Sequence, residues 1–175
     1  PLLFVFGKPK RLGKTEWRSL GDAAAAAGLK RPYLVLMGWQ PEQDAKDMEA
    51  LGFDAVSAYA GGGGYSMKPP SYAQQCAAIR RDRWEKCRAL RIPSVTFAGA
   101  GWDTRPRNER PPSWVTWVTA TPDPTPPTQQ RPLIDAVTAT PDELAAHLRE
   151  AVDWTQRHRD LNPSNAIIIY AWNEN

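Results

Sequence analysis

The run Ala166-Ile167-Ile168-Ile169-Tyr170 constrains this chain more than any other feature. β-Branched side chains lose freedom in a helical turn and pack well on a pleated surface. A short apolar run without polar alternation reads as a strand buried on both faces. Directly behind it stand Ala171-Trp172-Asn173-Glu174-Asn175. That order puts a carboxylate, an amide and a large aromatic face at the carboxyl end of a strand, where β/α barrels place their catalytic residues. A flat indole can stack on a pyranose ring while Asn173 and Glu174 fix hydroxyl groups.

The rest of the chain alternates short apolar runs with helical patterns. Strands are expected at Leu2 to Phe6, Tyr33 to Met37, Phe53 to Tyr59, Pro93 to Ala98 and Ala166 to Trp172. Helices are expected at Trp17 to Ala27, stopped by Gly28, and at Gln43 to Leu51, stopped by Gly52. Ser71 and Gln74 have capping-box spacing at the head of a longer helix to Leu90, whose buried face would hold Tyr72, Cys76, Ile79, Trp84, Cys87 and Leu90. Thr140 and Glu143 repeat the box before a helix to His158, with Leu144, Leu148, Val152 and Thr155 on one face. Strands separated by helices imply parallel βαβ units. No Gly-x-Gly-x-x-Gly follows the first strand, which removes the best argument for a dinucleotide fold. We therefore read residues 1–175 as the C-terminal portion of a (β/α)8 TIM barrel, incomplete in this chain, with further strands expected outside it. Such an open piece would expose sheet edges and is expected to associate when isolated.

Composition narrows the function classes. The net charge is +3, and the basic residues are scattered among acids, so no nucleic-acid footprint is visible. No apolar run approaches membrane-spanning length. Cys76 and Cys87 fall in one expected helix, roughly 16 Å apart along its axis, beyond the reach of a disulfide. Two His and two Cys without ligand spacing predict no metal site, and no cofactor motif is present. The sequence fixes no compartment.

A proline-rich stretch from Gly99 to about Thr138 is too long for a simple connector, and its prolines favour one held shape, as in the wall of a cleft. It carries Gly101-Trp102-Asp103-Thr104-Arg105-Pro106-Arg107. Trp102 is either a sugar-stacking platform or core packing under the loop. Asp103 either accepts from sugar hydroxyls or forms a local turn or an arginine pair. Arg105 and Arg107 either clamp an anionic substituent or tether the loop. Trp114 and Trp117 are outer-subsite or packing residues, and Tyr59, at a strand end, is a substrate contact or a core aromatic. Glu174 is a catalytic carboxylate or a partner of Arg105, and Asn173 a ligand or a turn residue. The Gly61 to Gly64 run lacks the Gly-Lys-Ser/Thr of a phosphate loop and reads as a cleft loop. His147 and His158 are expected on the surface of the last helix.

The Gly101-to-Arg107 segment after one strand and Ile169-Tyr170-Ala171-Trp172-Asn173-Glu174 after the next together resemble the glycoside hydrolase family 99-like group, which includes WbsX-type proteins of polysaccharide loci. The opening Pro1-Leu2-Leu3-Phe4, the Phe53-Asp54-Ala55-Val56 strand and the Thr140-Pro141 helix follow in the same order. The resemblance implies a retaining, endo-acting α-mannosidase- or α-mannanase-like enzyme on a (β/α)8 barrel. Its two glutamates stand three residues apart in a Trp/Tyr-Asn-Glu-x-x-Glu-Gly pattern. The first falls on Glu174, implied to act as a base on the sugar 2-hydroxyl; the second, the general acid, falls beyond Asn175. Two carboxyls with separated pKa values are what glycosidic cleavage requires. The partner expected is a polysaccharide or oligosaccharide, and this chain alone is expected to be inactive. A glycosyltransferase-type role in polysaccharide assembly and a non-catalytic carbohydrate-binding domain are the alternatives.

Overall fold

A computed structural model describes residues 1–5, 11–59, 70–102 and 137–171. The chain is mixed α/β. Its parallel strands are β1 (Leu2–Val5), β2 (Tyr33–Gly38), β3 (Ala55–Ala58), β4 (Thr96–Gly99) and, after two short antiparallel segments, β7 (Ile167–Tyr170). β1-β2-β3 form one parallel sheet and β4-β7 another. Among the described residues one parallel bridge, Val56 to Ser94, joins the two sheets, so the parallel strands lie side by side in chain order.

The helices start and stop where local chemistry dictates. α1 (Lys14–Ala26) ends at Gly28 with φ +72°, where the Leu29 N–H bonds Ala24 O at 2.8 Å. α2 (Pro41–Leu51) begins with proline in its first turn and ends at Gly52, also at φ +72°. Both ends are left-handed glycine stops. α3 (Tyr72–Ile79) carries the expected Ser71/Gln74 capping box, and α5 (Pro141–Arg157) the expected Thr140/Glu143 box.

Two helical faces differ from expectation. A π-helical segment, Arg80–Glu85, separates α3 from α4 (Lys86–Ala89). Its wider turn keeps Ile79 and Trp84, five residues apart, on one buried face. Leu90, expected inside, is 50% exposed, and at the head of the helix Gln75 is buried while Cys76, expected inside, is half-buried. On α5 the buried line is His147, Ala151 and Thr155, while Val152 faces solvent. His147 was expected on the surface. Its burial follows from Ala151, whose small side chain lets α5 approach the Phe97–Ala98 stretch of β4 and brings His147 onto Trp84.

β7 also differs. The isoleucine run is half-buried rather than enclosed, with Ile169 at 41% exposure, because among the described residues β7 pairs only with β4. At the other side of the sheet Leu2, Leu3 and Phe4 of β1 are likewise partly exposed.

Alternation sorts the inner strands into two faces. Leu34, Leu36 and Val56 pack with Met48, Leu51, Phe53, Cys87 and Ile92, while Val35, Ala55 and Val95 form a separate cluster. Beyond the Val56–Ser94 bridge, β3 and β4 stop exchanging backbone bonds in the usual ladder. Alternate carbonyls from Val95 to Gly99, which share one edge of the chain, are taken by side chains. Ser57 Oγ donates to Val95 O at 3.0 Å, the Trp84 indole N–H to Phe97 O at 2.8 Å, and the Tyr72 hydroxyl to Gly99 O at 2.7 Å. Three side chains thus complete what would otherwise be an unsatisfied buried edge.

The long excursion after β4 is pinned at its base. Gly101–Trp102 (β5) pairs antiparallel with Val137–Thr138 (β6), where the sequence suggested open loop. Two backbone-paired segments hold the ends of the Pro-rich stretch together over the carboxyl end of β4.

Candidate functional site

The carboxyl ends of the parallel strands carry a row of aromatic rings. Trp39 follows β2 directly, Tyr59 follows β3, and Tyr170 is the last residue of β7. The Trp39 and Tyr59 ring centroids are 5.3 Å apart at 65°, and those of Tyr59 and Tyr170 5.4 Å apart at 61°. Phe97 closes the row from beneath, 5.8 Å from Tyr170. Edge-to-face contacts at these distances are the favoured aromatic geometry. Tyr59 and Tyr170 meet at the carboxyl end of β4, where Tyr170 pairs in register with Gly99. Phe97 is 2% exposed and belongs to the core, whereas Trp39 is 54% exposed and presents an open indole.

Local chemistry fixes the turn that carries Trp39. Gln40, the residue before α2, makes no side-chain cap. Asp44 does that work from inside the helix, accepting the backbone N–H groups of Trp39 and Gln40. Its carboxylate lies against the α-carbon of Gly38, where any β-carbon would overlap it. Asp44 is 9% exposed, and burial raises its pKa above the ordinary aspartate value. The two N–H bonds and the nearby Arg83 charge oppose that shift.

The backbone at the far end of the row is also special. Ala171 has φ +61° and is buried. A left-handed alanine costs on the order of 1 kcal/mol or more and persists where the surroundings over-determine it. This turn leads directly into Trp172-Asn173-Glu174.

Of the residues singled out in the sequence, Tyr59 stands within the aromatic row. Trp102 is placed through its backbone pairing with Val137 in β5–β6. Trp172, Asn173, Glu174, Asp103 and Arg105, together with Arg107, Trp114, Trp117 and Gly61 to Gly64, lie outside the described residues. Sequence reasoning missed Trp39, Tyr170 as a ring of the row, and Asp44. The signal for Trp39 was its position one residue beyond an apolar strand, in Gly38-Trp39-Gln40-Pro41.

Behind the row, between α3 and α5, His147 is 3% exposed. It stacks on Trp84 at 5.6 Å and 4°, and meets Tyr72 edge-on at 6.1 Å. Among the described residues neither ring nitrogen has a hydrogen-bond partner, and Glu150 Oε2 stays 3.7 Å from Nδ1. Burial holds the His147 pKa below its ordinary value of 6.5, outweighing the opposing pull of Glu150, while Arg80 adds to the depression. A depressed histidine favours the folded state when neutral. Its contribution is fully present above 6.5 and is lost as pH falls from 6.5 through the folded value. Urea melts at pH 7.5 and 5.5 should show wild type losing stability at the lower pH. His147→Phe should lose markedly less, and an equal loss in both proteins would contradict this assignment.

The cysteines offer no nucleophile. Both are free, and burial pushes each thiol up to about 11, so both stay protonated at neutral pH. Among the described residues no group of three His, Cys, Asp or Glu side chains is placed to hold a metal ion. Among them, too, no helix is long and apolar enough to cross a membrane. Compared with protein-family models, curated proteins and solved structures, the chain matches none.

Proposed function

We propose that the Trp39–Tyr59–Tyr170 row is a glycan-binding platform in a glycoside hydrolase-like domain, with Glu174 as one of two catalytic carboxylates. The row itself carries the reading: three rings in successive contact at strand carboxyl ends, with one indole open to solvent. Aromatic faces of this kind bind the C–H-rich faces of sugars while excluding water. Two further features support it. The parallel strands lie in chain order, as in a singly wound barrel and unlike a doubly wound sheet, whose order reverses. The strained Ala171 turn joins the platform to the Trp172-Asn173-Glu174 segment that resembles family 99-like hydrolases.

The chemistry then divides between two parts. The platform orients a pyranose chain across the strand ends, and Glu174, once ionised, acts as base on the sugar. A second carboxyl, protonated, serves the leaving group. Substrate is expected to be an α-linked, mannan-type polysaccharide or oligosaccharide.

The test is turnover of α-mannan oligosaccharides by the longest form its gene encodes, beside Glu174→Gln. Release of shorter products with retained anomeric configuration, lost at least a thousandfold in Glu174→Gln, is expected. Equal turnover in both proteins would remove Glu174 from the mechanism. Binding that persists in both without turnover would leave a carbohydrate-binding domain.

A further inference from the structure

We propose that Asp44 is the positioning residue for Trp39: its buried carboxylate fixes the turn from which the indole reaches Tyr59. This rests on the reading of Trp39 as part of the glycan platform. The contacts that carry it converge on one short segment. The carboxylate gathers the N–H groups of both Trp39 and Gln40, and it occupies the space that a side chain at position 38 would need. Gly38 and the two residues between β2 and α2 are therefore set by one side chain projecting from the helix that follows them.

An ordinary helix start does not need such a device. Ser, Thr, Asp or Asn at the residue before the helix would satisfy the free N–H groups from a solvated position. Here that residue is Gln40, which makes no cap, and the acceptor is instead a charged group enclosed by protein. Burying a carboxylate is costly and is sustained only by well-placed partners. The charged groups acting on it are Arg83 from the π-helical segment and Asp47 on its own helix, while Glu42 acts on Arg83. Glu42 is engaged elsewhere, bridging Lys86 at 2.6 Å and tying the start of α2 to α4. Asp44 and Arg83 also line a cavity of about 20 Å³ between α2 and the open stretch of β3 and β4, room for roughly one water. A buried charge that holds two adjacent N–H groups fixes a backbone direction more sharply than a solvated cap would. Direction is what a stacking ring requires, since a misaligned indole loses its contact with Tyr59 and with a sugar together.

The experiment labels the protein with 5-fluorotryptophan and assigns the Trp39 19F resonance through Trp39→Phe. In Asp44→Asn the free protein should show that resonance shifted and broadened, with the dissociation constant for an α-mannan oligosaccharide raised about tenfold. Glu42→Gln, which removes the bridge to Lys86 and keeps both Asp44 N–H contacts, should leave both unchanged. An unmoved Trp39 resonance in folded Asp44→Asn overturns the positioning role whatever the glycan result. If wild type binds no glycan while Asp44→Asn still moves Trp39, the positioning stands and the glycan reading falls. Should Asp44→Asn fail to fold, wild type supplies the second measurement. The Trp39 resonance must then titrate with the Asp44 carboxyl carbon, and separate midpoints overturn the proposal.

Discussion

Gly38→Ala is expected to destabilise the protein by about 3 kcal/mol or more, the upper end for overpacking once hydrogen bonds to a charged group are also disturbed. The new methyl group would overlap the Asp44 carboxylate. Asp44 cannot retreat cheaply, because it is enclosed and holds the N–H groups of Trp39 and Gln40. For a chain of this size the loss corresponds to a fall in Tm of roughly 6–12 °C. Calorimetry of wild type, Gly38→Ala, Asp44→Ala and the double variant measures the coupling directly. Asp44→Ala should relieve much of the alanine penalty, giving strongly non-additive effects. An alanine at position 38 with unchanged Tm, or strict additivity, would contradict the geometry of this turn.

The second large effect is expected at Trp84. The indole is 4% exposed, stacks on His147, touches Trp154, and donates to the Phe97 carbonyl. Trp84→Ala should cost about 3–5 kcal/mol through the cavity alone. The variant also leaves a β4 carbonyl without its donor, adding roughly 1–3 kcal/mol. Trp84→Phe separates the two contributions, since it keeps most of the ring and loses the N–H. Tyr72→Phe is the parallel test at Gly99 and should cost about 1–2 kcal/mol. Urea melts of the three variants check the order, with Trp84→Ala the most damaging. If Trp84→Phe were neutral, the β3–β4 edge would have another donor and the side-chain ladder described above would be wrong.

How the sequence encodes these features explains what could be read from it. Helix ends were legible, because capping boxes at Ser71 and Thr140 and stops at Gly28 and Gly52 depend on residues a few positions apart. The five parallel strands were legible from their apolar runs, to within one or two residues at most ends. Features set by distant partners were not. The π-helical segment rotates Ile79 and Trp84 into line, and no local pattern announces it. His147 is buried because Ala151, one turn on, lets α5 close on β4, so the helical stripe fell one residue from where leucine and valine alone would put it. The isoleucine run looked enclosed because composition reports apolarity and not the number of neighbours a strand has.

The site divides in the same way. Tyr59 was legible as an aromatic at a strand end. Its ring contacts with Trp39 and Tyr170 were not, because they depend on the strand order, which brings residues far apart in the chain together. Asp44 was hidden for a different reason. A charged residue in the first turns of a helix reads as solvated, and only the fold shows it turned back onto the residues before the helix.

The most direct test of the central claim is calorimetric titration of the 175-residue chain with α-mannan oligosaccharides of increasing length, beside Trp39→Ala and Tyr59→Ala. Saturable binding that strengthens with chain length up to the span of the row is expected. Trp39→Ala should weaken it about tenfold or more, equivalent to ~1.4 kcal/mol, with the fold unchanged by circular dichroism. Binding that is absent in wild type, or equally strong in folded Trp39→Ala and Tyr59→Ala, would contradict the platform.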